Sequence, residues 1–194
     1  MLDADQQSAV IDGLAAGRAE AWAALYDEYA EMVWRYAARL LGAGRDGVAD
    51  VVQETFLAAA RSARTFDATR GTLASWLLGI VHQQTTQYWR RRGLQARSEV
   101  HGSQHEAIDH DASQGLQRRE RAEHVRRVLA EMPAEYAWLL VQKYVDDRPV
   151  AALVDELAAG AEAVKSKLAR ARRLFRTAMS RERVSAGPRS VSHE

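Results

Sequence analysis

Residues 19–42, AEAWAALYDEYAEMVWRYAARLLG, decide the fold class. Trp22, Leu25, Tyr26, Tyr29, Val33, Tyr36, Ala37 and Leu40 recur at steps of three and four, the period of an amphipathic helix. Gly42-Ala43-Gly44 then supplies the residues that a helix C-terminus prefers. Working outward, a shorter helix is expected at about Gln6–Ala16 and a third at about Asp46–Ser62. Asp46 would cap the third helix, and Asp50 and Glu54 lie toward its positive dipole end. A loop over 63–71 leads to a fourth helix capped by Thr72 and running to Arg92. Four helices with short connections make a compact bundle.

Residues 93–115 lack sustained periodicity and large apolar groups, and read as a linker. Helical pattern resumes near Leu116 and stops before Pro133, which suits the first turn of a helix over Ala134–Val145. Asp146-Asp147-Arg148 reads as a turn, and Pro149 opens a short helix to Leu157 or Ala158. Gly160 separates it from a last helix over about Ala161–Arg181. The expected fold is all-α, with two small helical domains: a bundle over 1–92, a flexible acidic linker over 93–115, a helix-turn-helix domain over 116–183 and a disordered tail over 184–194.

Composition agrees. A chain of 194 residues with 47% hydrophobic content, 27% charged residues and three prolines is neither disordered nor collagen-like. The absence of cysteine excludes a disulfide framework, a thiolate zinc site and a cysteine nucleophile. No apolar run approaches the roughly 18 residues of a membrane span, and the acidic start is unlike a signal peptide, so a cytoplasmic protein is expected. The net charge of +1 hides a segregation. Residues 1–60 hold ten acids against four arginines, residues 61–97 seven arginines against Asp67 alone, and residues 98–115 four acids with no Lys or Arg. The last stretch, 161–194, holds nine basic residues against three acids. Two basic segments in an otherwise acidic chain suggest two separate polyanion contacts, although solvated helix faces also produce such blocks.

Three helix faces bear on function. At 100° per residue, Val48, Val51, Val52, Thr55, Phe56 and Ala59 form one stripe of the third helix, with Asp50, Gln53 and Glu54 opposite and Leu57 in their midst. Either Leu57 is a singly exposed leucine, common on any surface, or it is the apolar anchor of a docking face ringed by acids. The fourth helix would bury Leu73, Leu77, Ile80, Val81, Gln84 and Tyr88. Ser75, Gly79, His82, Gln83, Thr86 and Arg90 would then face outward, flanked by Trp89 and ending in Arg90-Arg91-Arg92. That face suits bases and phosphates, or is a polar exterior with a basic C-terminus favoured by the dipole. In the last helix Val164, Leu168, Ala171 and Phe175 make one buried stripe, leaving Lys165, Ser166, Arg170, Arg173 and Arg176 outside. A short helix, a tight turn and a longer basic helix form a helix-turn-helix candidate, and neutralising about four to six phosphates would give a salt slope of about −4 to −5. An ordinary helical hairpin with a basic surface is the alternative.

His101, His105 and His110 sit at irregular spacing in the linker, so no metal site is expected. No phosphate loop, nucleophile elbow or zinc-protease motif occurs, and neither enzymatic activity nor a cofactor is expected.

The segments Leu25-Tyr26-Asp27-Glu28-Tyr29, Tyr36-Ala37-Ala38-Arg39-Leu40-Leu41-Gly42, Asp50-Val51-Val52-Gln53-Glu54-Thr55-Phe56 and Trp76-Leu77-Leu78-Gly79-Ile80 resemble the second conserved region of bacterial extracytoplasmic-function (ECF) sigma factors. Leu129-Ala130-Glu131-Met132-Pro133 and the run from Val164 to Leu174 resemble that family's fourth region. The resemblance covers about 19–92 and 116–176, in the family's order with a linker between. It implies a dissociable specificity subunit of RNA polymerase that directs promoter-specific initiation. Asp50, Gln53, Glu54 and Leu57 would dock on the clamp coiled coil of the largest catalytic subunit. Arg64, Phe66, Asp67 and Arg70 of the loop, with Trp76, His82, Gln83, Thr86, Gln87, Arg90 and Arg91 of the fourth helix, would receive the −10 promoter element as it melts. Glu162, Lys165, Ser166, Lys167, Arg170 and Arg173 would hold the −35 element as duplex. An anti-sigma factor is a further partner that the family allows; no membrane contact is implied.

Four positions depart from the family pattern. Gln83 and Gln87 replace the usual Asn and Asp, so base preference at −10 does not transfer. Val154 stands for a small alanine and Ala158 for the turn glycine, with Gly160 nearby to take the turn. The competing readings are a helix-turn-helix regulator without polymerase docking and a degenerate sigma-like interaction protein.

Overall fold

The computed structural model describes residues 4–42, 47–99, 110–157 and 159–185. Among these, regular structure is helical throughout: α1 (Ala4–Ala15), α2 (Ala19–Leu41), α3 (Gly47–Ser62), a 3-10 turn (Ala63–Thr65), α4 (Leu73–Glu99), α5 (His110–Glu131), α6 (Ala134–Tyr144), α7 (Val150–Leu157) and α8 (Ala161–Ser185). The chain forms two compact units, 1–130 and 131–194.

In the first unit α2, α3 and α4 pack pairwise, and α1 lies against α2 and the 3-10 turn. Leu25, Val33, Leu40, Leu73, Leu77 and Val81 are fully buried at the centre. Each such side chain contributes about 1.5–3 kcal/mol on burial, which is why the three- and four-residue spacing of α2 is so pronounced. Gly42 stops α2: at φ 100° it takes a conformation that a side chain disfavours, and its N–H donates to the Ala38 carbonyl at 2.8 Å. The expected cap of α4 is present, with the Thr72 hydroxyl accepting from the Ser75 N–H at 3.2 Å. Asp46, the expected cap of α3, lies outside the described residues, as do Ala158, His101, His105 and the tail beyond 185.

Two expected boundaries move. Helix α4 continues past Arg92 to Glu99, and α5 begins at His110 and not near Leu116. Both extensions run through the stretch read as linker. They lack an apolar stripe, so periodicity cannot register them, and one interior glycine in each, Gly93 and Gly115, costs only about 1 kcal/mol against neighbours that favour helix. Residues of α5 up to Ala130 cluster with the first unit, so the division falls at 130/131 and not at 116.

The second unit sets α6 and α7 against α8. Leu139, Val141, Leu153, Val164 and Ala171 are fully buried. Phe175, expected on the same stripe, is half-buried, because α8 extends past its neighbours there. The expected turn at 146–148 is held by a polar knot. Gln142 Nε2 donates to Asp146 Oδ2 at 3.0 Å, Arg148 Nη1 donates to Gln142 Oε1 at 2.8 Å, and Lys143 Nζ donates to the Arg148 carbonyl at 3.2 Å. Asp147 adopts φ 50°, which aspartate tolerates better than most residues. Gly160 does not take up a left-handed turn; positive φ among the described glycines is confined to Gly17, Gly42 and Gly71. Its carbonyl instead accepts the Val164 N–H at 3.1 Å and starts α8.

Candidate functional site

The α3 face is as the helical wheel predicts. Asp50, Gln53 and Glu54 are exposed, and Leu57 retains 40% of its surface. Thr55, on the opposite side, is buried and donates back to the Val51 carbonyl at 2.7 Å, so its hydroxyl is satisfied. Phe56 was expected in the buried stripe and is half-buried. Its ring meets Tyr26 of α2 with centroids 4.9 Å apart, and Tyr26 is 52% exposed although its spacing also suggested core. An aromatic pair therefore joins α2 to α3. Sequence reasoning missed it because the contact is made between two helices.

Between α3 and α4, Asp67 shapes its loop. Its Oδ1 accepts from the Thr69 N–H at 2.9 Å and the Thr69 hydroxyl at 2.7 Å, and its carbonyl accepts the Arg70 N–H at 3.0 Å. The Thr69 hydroxyl, then its N–H, and finally the Arg70 charge hold the Asp67 carboxyl below its ordinary value. Asp67 thus positions the loop that displays Arg64 and Arg70, both exposed. Phe66 and Trp76 are half-buried and pack ring to ring at 5.2 Å, joining the loop to the first turn of α4.

Along α4 the expected outer face is narrower than the wheel suggests. His82 is buried at 7% exposure, with Nδ1 at 3.3 Å from the Tyr36 hydroxyl, so it belongs to the core and not to a DNA-facing surface. Burial pushes the Tyr36 hydroxyl well above its ordinary value of 10.0. Trp89, expected beside the outer face, is also buried and donates its indole N–H to the Leu40 carbonyl at 3.2 Å. That carbonyl is among the last four of α2, which lack partners inside the helix. Gln84 and Tyr88, expected in the core, are only half-buried. The Thr86 hydroxyl is half-buried between the His82 carbonyl at 2.9 Å and the Ala130 carbonyl of α5 at 2.5 Å; its single proton serves one of them at a time. Arg92 Nε stands 3.5 Å from Glu123 Oε1 of α5. Gln83, Arg90 and Arg91 are exposed, and Gln87 is half-buried.

On α8, Ser166, Arg170 and Arg173 are exposed at i, i+4 and i+7, one line along the helix. Lys165 pairs with Glu162 at 2.7 Å on the exposed first turn, and Lys167 pairs with Glu135 of α6. Lys167 therefore pins α8 to α6 in addition to adding charge. Arg170 Nη1 donates to the Tyr136 hydroxyl at 3.4 Å and Arg172 Nη1 to the Tyr144 hydroxyl at 3.3 Å. The Tyr136 hydroxyl raises Arg170's already high pKa. Neither tyrosine was a sequence candidate, since α6 reads as a supporting helix.

Among the described residues, no cluster of His, Asp and Glu could hold a metal ion, and no helix is long and apolar enough to cross a membrane.

Comparison with known proteins identifies part of the first unit: the family profile "Sigma-70 region 2" matches residues 25–95, from within α2 through most of α4. Similarity to whole proteins extends further. The ECF RNA polymerase sigma factor SigL of Mycobacterium tuberculosis is 28% identical over 169 residues, covering 86% of this chain and 93% of the relative. SigK of Mycobacterium ulcerans, another ECF sigma factor, is 33% identical over 105 residues, 53% of this chain and 51% of the relative. The relatives that this chain resembles over most of its length are thus ECF RNA polymerase sigma factors, and residues 25–95 carry the region 2 signature of the sigma-70 family. Among solved structures it is similar to CnrH in complex with the cytosolic domain of CnrY, with TM-score 0.44, 20% identity and coverage of 90% of this chain and 97% of the other. It is also similar to a chain of the RsbN–BldN complex, with TM-score 0.37, 22% identity and coverage of 86% and 97%.

Proposed function

We propose that this chain is an RNA polymerase sigma factor that docks on the core enzyme through α3 and reads a promoter in two places, −10 as melted strand and −35 as duplex. The observation that carries the reading is the α3 face, where Leu57 stays exposed among Asp50, Gln53 and Glu54. An apolar anchor ringed by like charge suits a basic, partly apolar partner such as the clamp coiled coil of the largest polymerase subunit.

Behind that face the exposed Arg64, Arg70, Arg90 and Arg91, with the half-buried Phe66 and Trp76 rings, provide charge for phosphates and aromatic faces for unstacked bases. Capture of unstacked non-template bases shifts the duplex toward the open state, because it gives binding energy to that state alone. Residues of α8 take the upstream element as duplex, its line of Ser166, Arg170 and Arg173 facing the groove and backbone. The family reading adds an anti-sigma factor as a partner competing for these surfaces. On this reading the chain works in the cytoplasm as a binding factor, with no catalytic step and no cofactor of its own.

Asp50→Ala/Glu54→Ala tests the docking assignment. The double variant is expected to co-elute with core polymerase at least about tenfold less, from the loss of two charged contacts. Undiminished co-elution removes the assignment.

A further inference from the structure

A groove of about 310 Å³ runs between α6 and α8, lined by Tyr136, Ser166, Lys167, Ala169, Arg170 and Arg173. Its α8 wall is the basic line already described, and Ala169 leaves it open. Its α6 wall is Tyr136, which neither the family reading nor the sequence pattern assigns. We propose that this groove seats one backbone phosphate of duplex DNA and that Tyr136 is a phosphate-contacting residue of the upstream interface. The inference rests on the reading of α8 as a duplex-binding helix.

Hydrogen-bond bookkeeping carries the argument. A tyrosine hydroxyl has one proton to donate and lone pairs to accept. Here it accepts from Arg170 Nη1 at 3.4 Å, so its own proton is directed elsewhere, and the open groove lies beside it. Lys167, bound to Glu135 on the residue before Tyr136, fixes the helix crossing that holds the two walls apart. An anion in the groove would receive the Tyr136 O–H, the Ser166 hydroxyl and guanidinium N–H groups of Arg170 and Arg173. Such charge-assisted bonds favour a phosphodiester. A neutral base edge would use fewer of these donors. Phosphates carry no sequence information, so the contact should strengthen binding to all duplexes alike.

Full-length protein binding a random-sequence duplex, followed by fluorescence anisotropy across a salt series, tests the assignment. Tyr136→Phe keeps the ring and removes the donor. It is expected to weaken binding about tenfold, equally on random and promoter-derived duplexes, with an unchanged salt slope and melting temperature. Arg170→Ala is expected to reduce the slope by about 0.9, and the double variant to lose less than the sum, because both groups act on one phosphate. Ser166→Ala, an exposed position, gives a second reading of the same groove with an expected loss of about threefold. Lys165→Ala, outside the groove, reports on α8 itself. Loss with Lys165→Ala but none with Tyr136→Phe or Ser166→Ala overturns the phosphate seat while leaving α8 as a DNA helix; the groove would then suit an acidic protein segment. No loss with any variant overturns both. A Tyr136→Phe loss confined to one promoter sequence assigns base reading and also contradicts the proposal.

Discussion

Helices α4 and α8 are both long, both carry arginines on their outer sides, and both suggest nucleic-acid faces, yet they present very different surfaces. Helix α4 packs on α2 and α3, and its Thr86 and Arg92 side chains reach α5. Its buried positions run from Ile80 round to His82, more than half the circumference at 100° per residue. Helix α8 packs on α6 and α7 through one stripe, Val164, Leu168 and Ala171, and keeps the rest of its circumference open. A helix's free face is set by how many neighbours enclose it. On α4, polar groups such as His82 and Thr85 are drawn inside and satisfied there, whereas on α8 the cationic side chains stay at the surface, several of them bonded to α6.

The largest effect that sharpens this contrast is in the cores. Leu77→Ala on α4 is expected to cost about 4–5 kcal/mol and Leu168→Ala on α8 about 2–3 kcal/mol, since Leu77 is wholly enclosed and Leu168 lies nearer the edge. Urea denaturation of the full chain measures both, and an equal or reversed order would break the comparison. Next, His82→Ala is expected to destabilise by about 1–3 kcal/mol by stranding the Tyr36 hydroxyl. A DNA-facing histidine would instead leave stability unchanged and lower only promoter opening.

A third expectation concerns alkaline pH. The Tyr36 hydroxyl titrates above 10.0 when folded and near 10.0 when unfolded, so the unfolded chain loses this proton first. The stabilisation is complete below 10.0 and declines as pH rises above it, by about 1.4 kcal/mol per pH unit. Tyr36→Phe should flatten that part of the stability curve, and an unaltered curve would deny Tyr36 its buried role. The smallest expected change is thermodynamic silence: Arg173→Ala should shift stability by less than about 0.5 kcal/mol while lowering the salt slope of duplex binding by about 0.9. A folding defect there would mean that the α8 face is structural.

Most of the helices, their order and the α3 face were legible because burial there follows period alone: Leu25, Val33 and Leu40 point inward, and Asp50, Glu54 and Leu57 outward. The same logic misplaced His82 and Trp89, since a wheel cannot count the neighbours around α4. It misread 93–99 and 110–115 as linker, where helix exists without an apolar stripe. Of the candidate site, what escaped was contact between helices. Tyr26 beside Phe56, Tyr136 beside Arg170 and Lys167 on Glu135 each join residues on different helices, and no spacing within one helix encodes them.

Run-off transcription by bare core polymerase, with and without this chain, over a genomic promoter library tests the central claim most directly. The account predicts discrete start sites that appear only when the chain is added and fade with Asp50→Ala/Glu54→Ala. Transcripts with no start-site preference across the library, at protein concentrations that saturate polymerase, would contradict it.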